Sequence, residues 1–128
     1  MVSINTCLSV DLTGQVASET LGPMQYSGTG GQSDTAEGAA EGFDGKGKSI
    51  IACYSTAKKG TVSTILPMLA EGSAVTLHRS LVDNVVTEFG IARLRGKTVR
   101  ERARELIAIA HPNFREELTQ KAKAIGYL

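Results

Sequence analysis

The sequence predicts an α/β domain with a mixed, open sheet and flanking helices, and three observations predict it. Ile50, Ile51, Ala52 and Cys53 stand in succession within residues 49–54, the continuous apolar run of a strand covered on both faces. Near the C-terminus, Val99, Ala103, Leu106, Ile107 and Ala110 recur at i, i+4, i+7, i+8 and i+11, the period of an amphipathic helix. Between them, residues 62–66, 74–77 and 84–87 read as successive strands. No space separates them for the ten or so residues of a crossover helix, so the sheet is mixed rather than purely parallel.

The N-terminal elements follow the same logic. Leu8, Val10 and Leu12 alternate with Ser9, Asp11 and Thr13, a strand with one wet face, and Gly14-Gln15 turns the chain. Residues 15–19 run back as a second short strand until Gly22-Pro23 breaks the pattern. Asp34 followed by Glu37 has capping-box spacing, placing about two helical turns over residues 35–41, although Gly38 and Gly42 weaken that helix. Residues 37–48 are small, acidic and glycine-rich and read as an exposed loop. Thr98 with Glu101 caps the amphipathic helix; His111-Pro112 ends it and opens another, in which Phe114, Leu118, Ala122 and Ile125 form the apolar stripe until Gly126.

Composition excludes several functions. The chain has 128 residues, about one domain, with 41 % hydrophobic and 21 % charged residues and a formal net charge of +1. That balance offers no global field for nucleic acid or an anionic membrane. There is no apolar run near the roughly 20 residues of a membrane span, nor a signal-peptide pattern, so a soluble, cytoplasmic protein is expected. Cys7, Cys53, His78 and His111 have no metal-binding spacing, and both cysteines are expected as reduced core residues. Arg93, Arg95, Lys97, Arg100, Arg102 and Arg104 are interleaved with Glu101 and Glu105. They read as a solvated helix face with local ion pairs, the alternative being a patch for a phosphate or a partner domain.

Two segments are candidate sites. In Tyr26-Ser27-Gly28-Thr29-Gly30-Gly31-Gln32-Ser33-Asp34 the clustered glycines imply positive φ angles or close approach of another group. With a helix starting at Asp34, their amides would present donors to an anion or a developing oxyanion; the alternative is a flexible connector. Ser55-Thr56-Ala57-Lys58-Lys59-Gly60 puts two hydroxyls and two cations at a strand's end, where open α/β sheets bind ligands, or else forms a solvated turn.

Taken in order, these segments resemble the C-terminal domain of the acetyl-CoA hydrolase and transferase family, which includes the 4-hydroxybutyrate and succinyl-CoA:acetate CoA-transferases. The resemblance runs from about Ser3 to Leu128. It is carried by Val10-Asp11-Leu12-Thr13-Gly14-Gln15-Val16, the glycine segment, Ser55-Thr56-Ala57-Lys58 and Ile65-Leu66-Pro67-Met68-Leu69. It continues through Val85-Val86-Thr87-Glu88-Phe89-Gly90, Leu94-Arg95-Gly96-Lys97, Arg102-Ala103 and Ala110-His111-Pro112-Asn113-Phe114-Arg115.

The resemblance implies a NagB/RpiA/CoA-transferase-like fold over residues 1–128, as the C-terminal domain of a longer enzyme whose N-terminal domain is absent here. It implies CoA transfer between an acyl-CoA and a short-chain carboxylic acid such as acetate or 4-hydroxybutyrate, through a glutamyl-CoA thioester. Coenzyme A and acyl-CoA are substrates, with no tightly bound cofactor and no metal. Gly31 takes the place of the backbone oxyanion donor, Ser27, Gly28 and Gly30 shape the loop around the CoA arm, and Lys58 matches a lysine at the CoA site.

The family's nucleophilic glutamate belongs to a preceding segment, and Glu37, Glu41, Glu71 and Glu88 do not match it; Glu88 is expected to brace the fold. The chain alone is therefore expected to be inactive, and the full-length protein a homodimer, without nucleic acid or membrane partners. Thr35 stands where the family usually has phenylalanine, and Asp83 where a histidine is common, which bears on acyl specificity and loop packing. An acyl-CoA hydrolase and a non-catalytic CoA-binding or interaction module are the alternatives.

Overall fold

The computed structural model describes residues 1–28, 30–42 and 44–128. Its main sheet has the strand order β1-β6-β10-β11, with β1 at Val2–Thr6, β6 at Lys48–Ala52, β10 at Asn84–Thr87 and β11 at Gly90–Arg93. The first three strands are parallel; β11 folds back antiparallel on β10. The sheet is thus mixed, as expected, but two of its strands, β1 and β11, were not among the segments read as strands from sequence.

The alternation Val2, Ile4 against Ser3, Asn5 is short and lies at the chain's end, where its signal is weak. Gly90, read as a strand's end, instead starts β11 with φ +145°. Ile51, Val85 and Ala92 face the core, whereas Val2, Ile4 and Ile91 on the other face are exposed, Ile4 at 67 %. Coverage of both faces, expected for residues 49–54, is therefore not met by the described residues: Ile50 and Ala52 are only half-buried.

The intervening segments form small sheets. A hairpin joins β2, Ser9–Asp11, to β3, Val16–Ala17, and β9, Ile65–Leu66, lies parallel on the other side of β2. Two further hairpins follow, β4 (Thr20–Leu21) with β5 (Met24–Gln25) and β7 (Thr56–Ala57) with β8 (Val62–Ser63). The expected strand at 62–66 is split at Thr64, whose amide reaches the Ser55 carbonyl at 3.0 Å and whose hydroxyl reaches that of Tyr54 at 2.7 Å. The expected strand at 74–77 is only a bridge from Leu77 to Val16. Thr76 and Leu77 both donate to the single carbonyl of Val16, which leaves no ladder to extend.

Three helices complete the fold: α1 (Gln32–Ala40), α2 (Val99–Ile109) and α3 (Pro112–Ile125). The capping box at Thr98 and Glu101 forms, Pro112 opens α3, and Gly126 closes it in the left-handed conformation, all as expected. The Asp34–Glu37 capping box does not form. Gly31 is the cap, without a side-chain cap bond, and Asp34 lies in the first turn of a helix that starts earlier. α1 packs on β1 and β6, α2 on β10 and β11, and α3 on α2.

Asp11 organises the β2–β3 turn. Its buried carboxylate accepts from the Thr13 amide and hydroxyl (2.9 and 2.7 Å) and from the Gln15 amide and side chain (3.1 and 2.7 Å). Arg102 of α2 then reaches into this turn, donating to the carbonyls of Thr13 (3.1 Å), Arg79 (2.8 Å) and Lys97 (3.1 Å). A Cβ at Gly14, whose φ is +96°, would stand 2.9 Å from that guanidinium. Burial and the neighbouring Arg79 charge lower the Arg102 pKa. The rest of the basic cluster is mostly solvated, with Lys97 paired to Glu105 at 2.9 Å.

Two α1 glycine contacts predict opposite outcomes. A Cβ on Gly47 would overlap the Ala39 carbonyl oxygen, whereas one on Gly38, inside the helix, would meet only the flexible end of Met1 at 3.2 Å. Urea unfolding should therefore show Gly47→Ala destabilised by roughly 1–3 kcal/mol and Gly38→Ala stabilised by about 0.5 kcal/mol.

Candidate functional site

The parallel register aligns the carboxyl ends of β1, β6 and β10, and an open cavity of about 580 Å³ lies there. Thr6, Cys7 and Leu8 line it at and just beyond the end of β1, Ala52, Cys53 and Tyr54 likewise for β6, and Val86, Thr87 and Glu88 for β10; Thr56, Ala57 and Thr64 complete the wall. Strand carboxyl ends are where open α/β sheets bind ligands, so the topology itself nominates this cavity.

The glycine loop adjoins it. At one end the Tyr26 and Ser27 amides both donate to the Glu19 carbonyl, at 2.8 and 3.1 Å, and the Gln25 side chain donates to the Ser27 carbonyl. At the other end the Gln32 side chain donates to the Thr6 carbonyl at 2.8 Å and accepts from the Ser18 hydroxyl at 2.8 Å. The loop is thus tied to the end of β1 one residue before Cys7. Thr29 lies outside the described residues.

Gly31 has φ −87° and Gly28 is not among the glycines of positive φ, so at these two positions one of the two reasons expected for the glycines is removed. A Cβ on Gly28, Gly30 or Gly31 would meet nothing within 4 Å, so no group among the described residues occupies that space. Gly31 has φ −87° and its carbonyl accepts from the Thr35 amide at 3.0 Å. As helix cap, it and the first three helical residues have amides without intrahelical acceptors. The Thr35 hydroxyl, 3.2 Å from that of Ser3 and 3.3 Å from the Asn5 side chain, fastens the helix start to β1.

Lys58 stands apart from the glycine loop, at the tip of the β7–β8 hairpin directly after Ala57 of the cavity wall. Lys58 and Lys59 have φ of +49° and +58°, a conformation costing non-glycine residues of order 1 kcal/mol each. The Thr61 hydroxyl holds the turn by donating to the Lys58 carbonyl at 2.8 Å. The loop residues Ser27, Gly28, Gly30 and Gly31 and the hairpin residue Lys58 therefore flank one cavity without lining it.

Glu88 braces this site as expected. Its carboxylate accepts from the Ser55 amide at 2.7 Å, tying the end of β10 to the segment after β6. The buried Ser55 hydroxyl lies beside the carboxylate but outside hydrogen-bonding geometry. Partial desolvation raises the carboxyl pKa, yet the hydrogen bond from the Ser55 amide, with the nearby Ser55 hydroxyl dipole, the Glu88 amide and the field of His111, outweighs it and leaves Glu88 below the ordinary glutamate value.

The cysteines depart from expectation in one respect. Both are free, as expected, but they are half-buried on the cavity wall rather than fully within the core, with Cys7 packed against its edge. Recognition of β1 as a strand would have revealed this, because Cys7 and Cys53 each directly follow the paired residues Thr6 and Ala52.

A depressed carboxylate pKa stabilises the fold above the unfolded pKa, and that contribution disappears as pH falls through the folded value. Glu88→Gln should accordingly be less stable than wild type at neutral pH by under about 1 kcal/mol, since the group is exposed. The gap should close on acidification below the carboxylate range; urea midpoints for both proteins across pH check this.

Residues 1–122 match the family model for the acetyl-CoA hydrolase/transferase C-terminal domain. The 4-hydroxybutyrate coenzyme A transferase of Clostridium kluyveri is 58 % identical over 123 residues, covering 96 % of this chain and 28 % of that protein. The succinyl-CoA:cyclohexane-1-carboxylate CoA transferase of Geobacter metallireducens is 55 % identical over 126 residues, covering 98 % and 28 %. The crystal structure of RipA from Yersinia pestis superposes with a TM-score of 0.90 at 47 % identity, covering 99 % of this chain and 28 % of that one. The chain therefore spans little more than a quarter of the length of these relatives. With its mixed sheet, its strand-end cavity and nearly its whole length matched, the chain belongs to the acetyl-CoA hydrolase/transferase C-terminal domain family.

Proposed function

We propose that this domain provides the CoA side of a carboxylate CoA-transferase acting in the cytoplasm on acyl-CoA and a short-chain carboxylate such as acetate or 4-hydroxybutyrate. The reading takes the chain as the C-terminal domain, over residues 1–128, of a longer enzyme that works as a homodimer. A glutamate from its N-terminal domain is the nucleophile. Its carboxylate attacks the thioester carbonyl and expels CoA thiolate, leaving an acyl-glutamyl anhydride. The thiolate attacks the glutamyl carbonyl and releases the first carboxylate, and the acceptor acid then takes CoA from the glutamyl thioester.

The observation that carries the proposal is the Gly31 cap. Its amide has no acceptor among the described residues, and the space above its Cα is open. A backbone donor so placed can face the oxyanion of each tetrahedral intermediate. In this reading Ser27, Gly28 and Gly30 let the CoA arm approach the backbone, and Lys58 offers its charge to phosphate or thiolate. The strained left-handed turn that presents Lys58 supports that role. No tightly bound cofactor is needed.

Replacing the C-terminal domain of the Clostridium kluyveri 4-hydroxybutyrate enzyme by these 128 residues should yield a folded chimera that transfers CoA and forms a glutamyl thioester trapped by hydroxylamine. A folded chimera without that adduct refutes the transferase reading; an adduct discharged by water without an acceptor acid points to hydrolysis. In the same chimera Gly31→Pro removes the amide at a compatible φ of −87°. It should lower kcat by about 10²–10³-fold with little change in melting temperature.

A further inference from the structure

We propose that Cys7 and Cys53 form a dithiol exchange site in the strand-end cavity, reacting with low-molecular-weight disulfides and closing reversibly to an intramolecular disulfide. The proposal does not depend on acyl transfer. It rests on the parallel register, which ends at Thr6 and Ala52 and delivers the two following residues, both cysteines, side by side. Neighbouring strands lie about 4.8 Å apart, within the Cα separation a disulfide spans. Cys53 is held to β10 by its amide, which donates to the Val86 carbonyl at 3.0 Å, whereas Cys7 lies one residue beyond the end of β1. Both thiols are half-buried on the wall of an open cavity, within reach of a small reagent.

The surroundings give the two sulfurs different roles. Cys53 lies 3.9 Å from the Thr64 hydroxyl. The neighbouring Cys7 thiol lowers the Cys53 pKa, burial opposes it, and the Thr64 hydroxyl adds to the lowering against the nearby Glu88 charge. Cys7 moves upward, chiefly through the neighbouring Cys53 thiol and secondarily through burial. Cys53 is then the attacking thiolate and Cys7 the resolving thiol.

In the first step the Cys53 thiolate attacks one sulfur of a disulfide RSSR, forming a mixed disulfide and expelling RS⁻, which takes up the proton lost from Cys53. In the second, Cys7 loses its proton and attacks the Cys53 sulfur, expelling the second thiolate, which leaves as RSH. The two cysteines are oxidised by two electrons and RSSR is reduced to two RSH. Closure acts directly beside Thr6, whose carbonyl seats the start of α1.

The test treats the reduced 128-residue chain with oxidised glutathione under native conditions and reads intact mass and peptide maps. Expected is a monomer lighter by about 2 Da with no free thiol, restored by dithiothreitol. Cys7→Ser should hold one glutathione on Cys53, and Cys53→Ser should react at least about tenfold more slowly than wild type. Wild type that retains glutathione on both cysteines, links chain to chain, or stays unreacted until denatured overturns the proposal. The wild-type mass shift requires no substitution and so stands whatever the variants' stability.

Discussion

The parallel register of β1, β6 and β10 is the constraint on which the rest depends. Pairing Ile4 with Ile50, and Ile50 with Asn84, brings three strand ends to one level. Beyond that level the chain leaves the sheet after β1 and β6 and turns back after β10, and the cavity lies where these segments diverge. The same register sets Ile51 and Val85 toward α1 and α2, so a slip of one residue would turn the core outward as well as dismantle the site.

A second constraint works from the opposite side of the fold. Asp11 absorbs four donors of a tight turn, and Arg102 collects three carbonyls from three separate segments. Such interactions satisfy buried backbone that no ladder reaches, which is why a region of two-residue strands can stay ordered. The motifs that carry the family resemblance divide by place: the Asp11 and Arg102 segments serve the scaffold, while the glycine segment is tied to Thr6 and the lysine segment adjoins Ala57, both of the cavity wall.

The glycine loop is distinguished by what does not touch it. Gly14, Gly47 and Gly72 have evident internal reasons, since a side chain there would press on an arginine, a helix carbonyl or Pro23. Gly28, Gly30 and Gly31 have none among the described residues. These glycines stand beside a helix start whose first amides have no backbone acceptor among the described residues, which is the feature on which the proposed oxyanion role rests.

Local physics made much of this legible from the chain alone. Apolar periodicity, the Thr98–Glu101 box, Pro112 and Gly126 determined α2 and α3 nearly to the residue, and the ordered motifs pointed to the family. These signals act over a few neighbouring positions, within reach of a linear reading. Where local signals conflicted, tertiary contacts decided: Asp34 has the spacing of a cap, yet Gln32 anchored on Thr6 starts α1 earlier. Residues 74–77 look like a strand but find a single carbonyl to share. Only the fold could place Cys7 against Cys53, or Ser55 against Glu88, because strand pairing sets those distances across tens of residues. The glycine loop belongs to both: its composition offered a flexible connector or a backbone open to another group, and the structure shows open space at Gly28, Gly30 and Gly31 because no described residue packs there.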